Sequence, residues 1–330
     1  MPEIPPLRQG DSGNGVRDLH RRLAQVGHPV DGAEVESGVF GAATSTGVRR
    51  FQAERGLDEH GLLDAATAAA LVEAGLHLGD RHLYLHAPML RGDDVADLQL
   101  RLGSLGFDAG RIDGIFGPDT AGALFNFQRN TGLISDGIAG PATVVSLRNL
   151  AGRSSGTTAV AQVRELDRLR RSRPELDDRR LAIGQFGSCG VLTAALTRSL
   201  RRRGAHVVAL DHPDETTQSQ TANRFEAELY LGLRIENHSH CMVSYFATEG
   251  FHSEGGLRLA HRCATAVTAA GLTSTQAQGM RLPILRQTRM PAVLCSLAPP
   301  AAVVHATAEL AEALAGAVAD WIADPAADPL

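Results

Sequence analysis

The sequence predicts two small all-α modules of three helices each, followed by an α/β domain with a mixed sheet covered by helices on both faces. An internal repeat in the first 150 residues carries the first part of this prediction. Short apolar strands that alternate with helices from residue 180 onward carry the second part. A length of 330 residues agrees with two or three domains rather than one.

The composition excludes several classes of protein. The net charge of -5 gives no electrostatic support to nucleic-acid binding, and no window is apolar enough for a membrane span. The first 25 residues lack the apolar stretch of a secretory signal, so we expect a cytoplasmic protein. All 32 basic residues are arginine, which is typical of GC-rich genomes such as those of actinobacteria. No CxxC pair is present, which predicts reduced thiols at Cys189, Cys241, Cys263 and Cys295.

The repeat is a pattern of apolar, glycine and polar positions. Its first part recurs 79 residues later and pairs Val16, Leu19, Leu23 and Gly27 with Val95, Leu98, Leu102 and Gly106. Its second part recurs 76 residues later and pairs Phe40, Gly41, Thr44, Phe51, Gln52, Gly56, Leu57, Gly61, Thr67 and Leu71 with Phe116, Gly117, Thr120, Phe127, Gln128, Gly132, Leu133, Gly137, Thr143 and Leu147. The first copy therefore carries three extra residues, within positions 28–39.

Each copy predicts three helices. The first helix, GVRDLHRRLAQVG or DDVADLQLRLGSLG, places apolar residues on one face and ends at a glycine. Pro118 suits the first turn of the second helix, and a short third helix begins at the GP of GPATVVSL. Modules of this size bury little surface alone, so we expect the two copies to pack together.

Four motifs follow one another in the second copy: VxxLxxxLxxxG, DGxFGxxT, FQxxxGL and DGxxGxxT. Their order resembles the type-1 peptidoglycan-binding module, and the resemblance covers residues 7–72 and 89–148. It implies that the modules bind peptidoglycan or muropeptide precursors. A duplicated helical spacer is the alternative that the pattern leaves open.

Residues 149–179 separate the modules from the next domain. The stretch GRSSGTT at residues 152–158 has the composition of a flexible linker. The stretch AVAQVRELDRLRRS then predicts a helix with Arg164, Arg168 and Arg171 near one face. We interpret this face as solvated rather than as the binding surface for an anionic partner.

Residues 180–324 form the predicted α/β domain. Strands are expected at LAIG, AHVVALD, LYLGLRI, MVSYF and PAVLCSL. Helices are expected at CGVLTAALTRSLRRRG, TANRFEAE and GGLRLAHRCATAVTAAG. One long closing helix is expected at AAVVHATAELAEALAGAVADWIA. Gly184, Gly187 and Gly190 follow the start of the first strand and Asp211 ends the second, as in a dinucleotide site. Their spacing is GxxGxxG rather than GxGxxG, which disfavours that interpretation.

Three further segments occur in order: TANRFEAELYLGLRIEN, SEGGLRLAHR and ILRQTRMPAVLCSL. Together they resemble the zinc-dependent N-acetylmuramoyl-L-alanine amidases. In that family two His and one Glu hold Zn²⁺. A further Glu takes a proton from the metal-bound water, which attacks the amide between the lactyl group of muramic acid and L-alanine.

The resemblance implies that these four groups are absent here. No His follows the first strand. Gln185 stands near the position of the Glu ligand that begins the next helix, Arg234 at the second His, and Ser296 at the catalytic Glu. Because Arg is a permanent cation that repels Zn²⁺, we expect no intact catalytic site and no cofactor.

A second cluster is a candidate metal site. Glu236, His238, His240 and Cys241 lie close in sequence, and histidines at i and i+2 of an extended segment face the same side. A third ligand and a positioned base are not evident, so we favour an exposed polar connection. Cys295 has no GxSxG motif or His–Asp partners around it and is predicted to be a buried strand cysteine.

The two resemblances together imply a peptidoglycan-binding protein with an inactive amidase-like domain, a combination found in a class of actinobacterial proteins. Such a protein would regulate or scaffold peptidoglycan synthesis through protein partners or peptidoglycan precursors. One alternative is an active zinc amidase with a relocated metal site at His238, His240 and Cys241. Another is a plain wall-binding protein.

Overall fold

The computed structural model describes residues 6–151, 160–274 and 276–326. The chain divides into two compact units, residues 1–161 and 162–330. The linker predicted at residues 152–158 lies outside the described residues.

Both copies of the repeat fold into the three predicted helices. In the first copy these are α1 (Asn14–Gln25), α3 (Ala42–Glu54) and α4 (Ala65–Ala74). In the second copy they are α5 (Asp93–Ser104), α6 (Pro118–Asn130) and α7 (Pro141–Ala151). The segment that is longer in the first copy contains a further short helix, α2 (Gly32–Ser37).

The repeated apolar positions build a core in each copy. Phe51 of the first copy and its counterpart Phe127 of the second are both fully buried. An ion pair of 2.5 Å between Arg55 Nη1 and Asp93 Oδ2 joins α3 to α5. The expected contact between the two copies is therefore confirmed.

A buried glutamine closes the last turn of each copy. In the second copy, Gln128 Nε2 donates hydrogen bonds to the carbonyl oxygen of Ile138 at 3.0 Å and to Thr143 Oγ1 at 3.2 Å. Gln128 Oε1 accepts from the N–H of Gly137 at 2.9 Å. This clamp holds the DGxxGxxT turn against α6.

The first copy contains the same glutamine clamp. Gln52 Nε2 donates to the carbonyl oxygen of Leu62 at 3.1 Å and to Thr67 Oγ1 at 2.9 Å, and Gln52 Oε1 accepts from Gly61 N at 2.8 Å. Because both copies place a glutamine, a glycine N–H and a threonine in this arrangement, the repeat extends to polar contacts inside the modules.

A second polar contact differs between the copies. Gln99 Nε2 of the second copy donates to Thr120 Oγ1 at 3.1 Å. The first copy has His20 at this position, and its Nε2 lies 2.7 Å from Thr44 Oγ1. Here the carboxylate of Glu34 also accepts hydrogen bonds from Thr44 Oγ1 at 2.5 Å and from Thr44 N at 2.8 Å. The Glu34 carboxylate therefore caps the first turn of α3.

The Glu34 cap predicts a specific sensitivity to acid. Burial acts to raise the pKa of Glu34, but hydrogen bonds from Thr44 and from the N–H groups of Ala43 and Gly41 outweigh it and lower the pKa. A carboxyl whose pKa is lower in the folded state stabilises the fold above its unfolded pKa of about 4.3, and this contribution is lost as the pH falls through the folded pKa. We expect Glu34→Gln to cost about 1 kcal/mol at neutral pH.

Thermal unfolding measured from pH 7 to acidic pH tests this sensitivity. The difference between the unmodified chain and Glu34→Gln should shrink as the pH falls below about 4. Glu36→Gln is the matched control, because Glu36 lies exposed on the same short helix. A difference that stays constant with pH would contradict the role of the Glu34 carboxylate.

The predicted Arg-rich helix is α8 (Val160–Arg170), and all but its first two residues belong to the second unit. Arg171 follows it and pairs with Asp167 at 3.1 Å in an exposed position, as expected for a solvated face. The strands are β1 (Arg180–Phe186), β2 (His206–Asp211), β3 (Leu229–Ile235), β4 (Met242–Thr248), β5 (Phe251–His252), β6 (Gln278–Met280) and β7 (Ala292–Leu297). The other helices are α9 (Gly190–Arg202), α10 (Glu215–Arg224), α11 (Glu254–Ala269), α12 (Pro283–Gln287), α13 (Pro300–His305) and α14 (Thr307–Ala323).

The strands form the predicted mixed sheet. Its order is β2-β1-β3-β7-β4-β5, with β6 beside β4. The first four strands in this order are parallel, whereas β4 is antiparallel to β7. Helices α9, α11 and α14 pack on one face of the sheet in a single apolar core. Helices α10 and α12 lie on the opposite face. There the side-chain amide of Asn223 on α10 donates a hydrogen bond to the carbonyl oxygen of Gln287 on α12.

Several element bounds differ from the sequence-based expectation. The closing helix is divided at Ala306 into α13 and α14. Helix α10 begins earlier than expected, because the carboxylate of Asp214 caps it by accepting from Thr217 N at 2.7 Å. The short elements β5, β6 and α12 had no clear pattern in the sequence. No helix in the described ranges is long and apolar enough to cross a membrane.

Candidate functional site

Arg234 and Ser296 lie side by side at the carboxyl edge of the sheet. They are register partners on β3 and β7. Arg234 donates to Ser296 Oγ from Nε at 3.3 Å and from Nη2 at 3.2 Å. The structure therefore brings together two of the three positions that the amidase resemblance singled out.

Glu236 completes this cluster. Its Oε1 lies 2.6 Å from Arg234 Nε, and Ser296 Oγ donates to the same oxygen at 3.5 Å. The side chains of Arg234 and Glu236 are only 18% and 23% exposed, so their attraction is weakly screened by solvent. The result is a closed Arg–Glu–Ser cluster at the end of β3 and β7.

The cluster does not fit a zinc ion. A guanidinium has donors only and remains charged, so it offers no lone pair to a metal. The Ser296 hydroxyl cannot replace a carboxylate as general base, because a neutral hydroxyl is a very weak base. Glu236 is the one carboxylate of the cluster, and it is already bound to Arg234.

The role of Glu236 was missed in the sequence, where it was considered only as a metal ligand. Residues at i and i+2 of an extended segment face the same side, so the Arg-x-Glu spacing was the available signal for an ion pair.

Gln185 is separated from this cluster by the sheet. It lies within β1, not at the beginning of a helix as the resemblance implied, and α9 begins only at Gly190. Leu181 and Ile183, which precede it with a period of two, belong to the apolar core under α9, α11 and α14. Gln185 therefore points to the same face of the sheet. Arg234 is the register partner of Phe186, the next residue of β1, and so points to the opposite face.

The glycines of the first strand have separate structural roles. Gly184 is in the strand, where a Cβ atom would overlap the hydroxyl of Tyr230 and Oε1 of Gln218. Gly187 forms the following turn with φ of +80°, a left-handed conformation that favours glycine. The close packing of Tyr230 against the strand explains why position 184 is a glycine, and no nucleotide-binding role is needed to explain it.

The second metal candidate is not assembled either. His238 and His240 are exposed, and His240 Nδ1 lies 3.1 Å from Ser239 Oγ. Cys241 is buried, and its Sγ donates to the carbonyl oxygen of Ala298 at 3.2 Å. Across residues 6–151, 160–274 and 276–326, no three His, Cys, Asp or Glu side chains are grouped so that they could hold a metal ion. The structure of these ranges does not bring His238, His240 and Cys241 together as such a group, and the relocated site stays an untested hypothesis.

All four cysteines are buried thiols. A hydrogen bond with Cys263 and burial raise the pKa of Cys295 well above its usual range. A thiol of this kind is a poor nucleophile at neutral pH. The prediction that Cys295 is a buried strand cysteine is confirmed.

Comparisons with known proteins give matches in both units. The family model for the peptidoglycan binding domain matches residues 12–71 and 91–147. The N-acetylmuramoyl-L-alanine amidase CwlM of Mycobacterium tuberculosis is 35% identical over 327 residues, which cover 87% of this chain and 80% of CwlM. The N-acetylmuramoyl-L-alanine amidase CwlL of Bacillus licheniformis is 32% identical over 166 residues, or 44% of this chain and 45% of CwlL. Among solved structures, the chain is similar to the catalytic domain of CwlV, an N-acetylmuramoyl-L-alanine amidase from Bacillus (Paenibacillus) polymyxa. The two are 12% identical with a TM-score of 0.36, and the match covers 44% of this chain and 99% of that domain.

Proposed function

Because this chain belongs to the N-acetylmuramoyl-L-alanine amidase family that includes CwlM, we propose that it binds peptidoglycan or its precursors and regulates or scaffolds cell-wall synthesis without amidase activity. The two peptidoglycan-binding modules supply recognition of the ligand. The amidase-like domain supplies a folded surface for protein partners of cell-wall synthesis.

The proposal that the domain has no amidase activity rests on the Arg234–Glu236–Ser296 cluster. The family resemblance assigns a zinc ligand to the position of Arg234 and the catalytic base to the position of Ser296. A Zn²⁺ ion about 4 Å from a guanidinium would be repelled by about 8 kcal/mol at an effective dielectric constant of about 20. The Glu236 carboxylate attracts Arg234 instead, at 2.6 Å.

Metal analysis and an activity assay test the inactive domain. We expect the purified full chain to retain no stoichiometric zinc after dialysis, and to release no L-alanine peptides from muropeptides when zinc is added. Arg234→His should not restore release, because the position of the base still carries Ser296. Release by the unmodified chain that a chelator abolishes would contradict the proposal.

Capture experiments test the role in cell-wall synthesis. The full chain should sediment with insoluble peptidoglycan or bind soluble muropeptides, and should co-purify with proteins that make peptidoglycan precursors. Sedimentation without any protein partner would support a plain wall-binding protein instead. The cytoplasmic location stays a prediction, which cell fractionation tests.

A further inference from the structure

A cavity of about 580 Å³ lies between helices α9 and α14 of the second unit. Its lining combines small apolar residues with charged ones, namely Ala195, Arg198, Arg201 and Arg202 of α9 and Ala308, Ala311 and Glu312 of α14. Because an alanine side chain is a single methyl group, the three alanines leave space between the two helices. Pockets that bind small molecules measure about 300 to 1,000 Å³, so the cavity is large enough for such a ligand.

The charged groups of this cavity are mostly positive. Three guanidinium groups line it, and Glu312 is the single carboxylate among the lining residues. A guanidinium stays charged at every physiological pH, so the positive charge of the lining is permanent. Arg203, the residue that follows α9, adds a fourth guanidinium nearby, since its Nη2 atom lies 3.4 Å from Glu312 Oε2. The cavity therefore favours a ligand with negative charge.

Contacts within the protein occupy only part of the donors in this group. Arg201 Nη2 donates to the carbonyl oxygen of Val207 at 2.7 Å, and Arg202 Nη2 donates to Glu312 Oε1 at 2.6 Å. Ser199 Oγ donates to Glu312 Oε2 at 2.9 Å. This hydrogen bond, together with the neighbouring arginines, lowers the pKa of Glu312. The arginines thus already hold one oxyanion, and each guanidinium has further N–H groups to offer.

Arg198 is not used in this way. Among the residues that the structure describes, its guanidinium has no hydrogen-bond or ion-pair partner. It is also not in the last turn of α9, where Arg201 and Arg202 are favoured by the negative end of the helix dipole. Residues three and four positions apart are neighbours on a helix surface, so Arg198 stands beside both of them. Contacts within the described protein therefore leave the donors of Arg198 available to a ligand in the cavity.

We propose that the cavity between α9 and α14 binds the diphosphate group of a small molecule. A guanidinium presents paired N–H donors that match two oxygens of one phosphate. Arg198 is about one helical turn from Arg201 and Arg202, so two linked phosphates can each meet a different guanidinium. A single carboxylate meets only one, as Glu312 does with Arg202. The alanine side chains offer an apolar wall to the rest of the ligand.

The proposal goes beyond the function proposed above and does not depend on it. The cavity lies between helices that cover one face of the sheet, whereas Arg234 points to the opposite face. Diphosphate binding could therefore be present or absent whether or not the domain has amidase activity.

Calorimetric titration of the full chain with inorganic pyrophosphate, in buffer without divalent cations, tests the site. Arg198→Gln should weaken binding roughly tenfold, because it removes hydrogen bonds to a charged ligand. Arg224→Gln is the matched control. Arg224 is an exposed arginine in the last turn of α10, on the opposite face of the sheet, so its removal should leave pyrophosphate binding unchanged.

Glu312→Gln should have the opposite effect. It removes the one negative charge of the cavity, so pyrophosphate binding should become roughly fivefold tighter. The glutamine side chain can still accept the hydrogen bond from Ser199, and circular dichroism should show that all variants remain folded. Absence of saturable binding, equal affinity of Arg198→Gln and the unmodified chain, or weaker binding by Glu312→Gln would overturn the proposal.

Competition with pyrophosphate distinguishes the sources of the diphosphate. Uridine diphosphate tests a nucleotide, and farnesyl diphosphate tests a lipid diphosphate. The stronger competitor identifies the source, provided that its binding is also weakened in Arg198→Gln. Competition by neither would assign the cavity to pyrophosphate itself. Citrate tests the chemistry of the group, since tighter binding of citrate than of pyrophosphate would show that the cavity recognises carboxylates and would contradict the proposal.

Discussion

Replacing Gln128 with leucine is expected to lower the free energy of unfolding of the first unit by about 3 kcal/mol. Leucine fills the same space but offers no polar atoms. The N–H of Gly137, the carbonyl of Ile138 and the hydroxyl of Thr143 each lose the partner that Gln128 provides. Each buried polar group without a partner costs about 1 to 3 kcal/mol, and the total is reduced where the turn opens to water.

The internal repeat supplies a replicate and the chain supplies a control. Gln52→Leu should cause a loss of similar size, because Gln52 makes the equivalent three contacts in the first copy. Gln25→Leu is the matched control, since Gln25 is exposed near the end of α1, and its effect should stay within about 0.5 kcal/mol.

Chemical denaturation followed by circular dichroism measures these losses. Amide hydrogen exchange locates them, since Gly137 and Gly61 should lose protection in the corresponding variant. Equal stability of Gln128→Leu and Gln25→Leu would show that the glutamine clamp does not hold the module together.

The modules were largely predictable because they repeat. Two copies of one pattern reveal which positions the fold needs, so the helices and the apolar core followed from sequence alone. The role of Gln52 and Gln128 did not follow, although both recur beside a core phenylalanine. A glutamine that recurs next to a buried position indicates a buried polar contact. The groups to which it is hydrogen-bonded belong to a turn that lies close to the glutamine only in the folded chain.

The candidate site was only partly predictable for a different reason. Arg234 and Ser296 were singled out separately, and their contact depends on the register of β3 against β7, which no local pattern encodes. The face of Gln185 follows from alternation with Leu181 and Ile183, since neighbouring positions of a strand point to opposite sides. Residues that match a family motif therefore belong in one pocket only if the alternation of side chains along their strands places them on the same face of the sheet.

Gly184→Ala is expected to destabilise the second unit by about 3 kcal/mol, because the added methyl group overpacks a buried strand. The Cβ atom would overlap the Tyr230 hydroxyl and Gln218 Oε1, which are hydrogen-bonded to each other at 2.9 Å. Relief requires the Tyr230 side chain or the Gln218 side chain to move. Gln218 is also fixed by its hydrogen bonds to the carbonyl oxygens of Gln185 and His212, so little adjustment is available.

Gly316→Ala is the control for this substitution in the same unit. Gly316 lies inside α14 with open space around its Cα, so alanine there should stabilise the unit by about 0.5 to 1 kcal/mol. The fluorescence of Trp321, the single tryptophan of the chain, reports the unfolding of this unit because the residue is buried in its core.

A double variant tests the cause of the Gly184→Ala loss. Tyr230→Phe removes the hydroxyl that meets the new methyl group, so the combined loss should be smaller than the sum of the two single losses. Strictly additive losses would mean that the Gly184 position tolerates a side chain against Tyr230, and the packing explanation for this glycine would then fail.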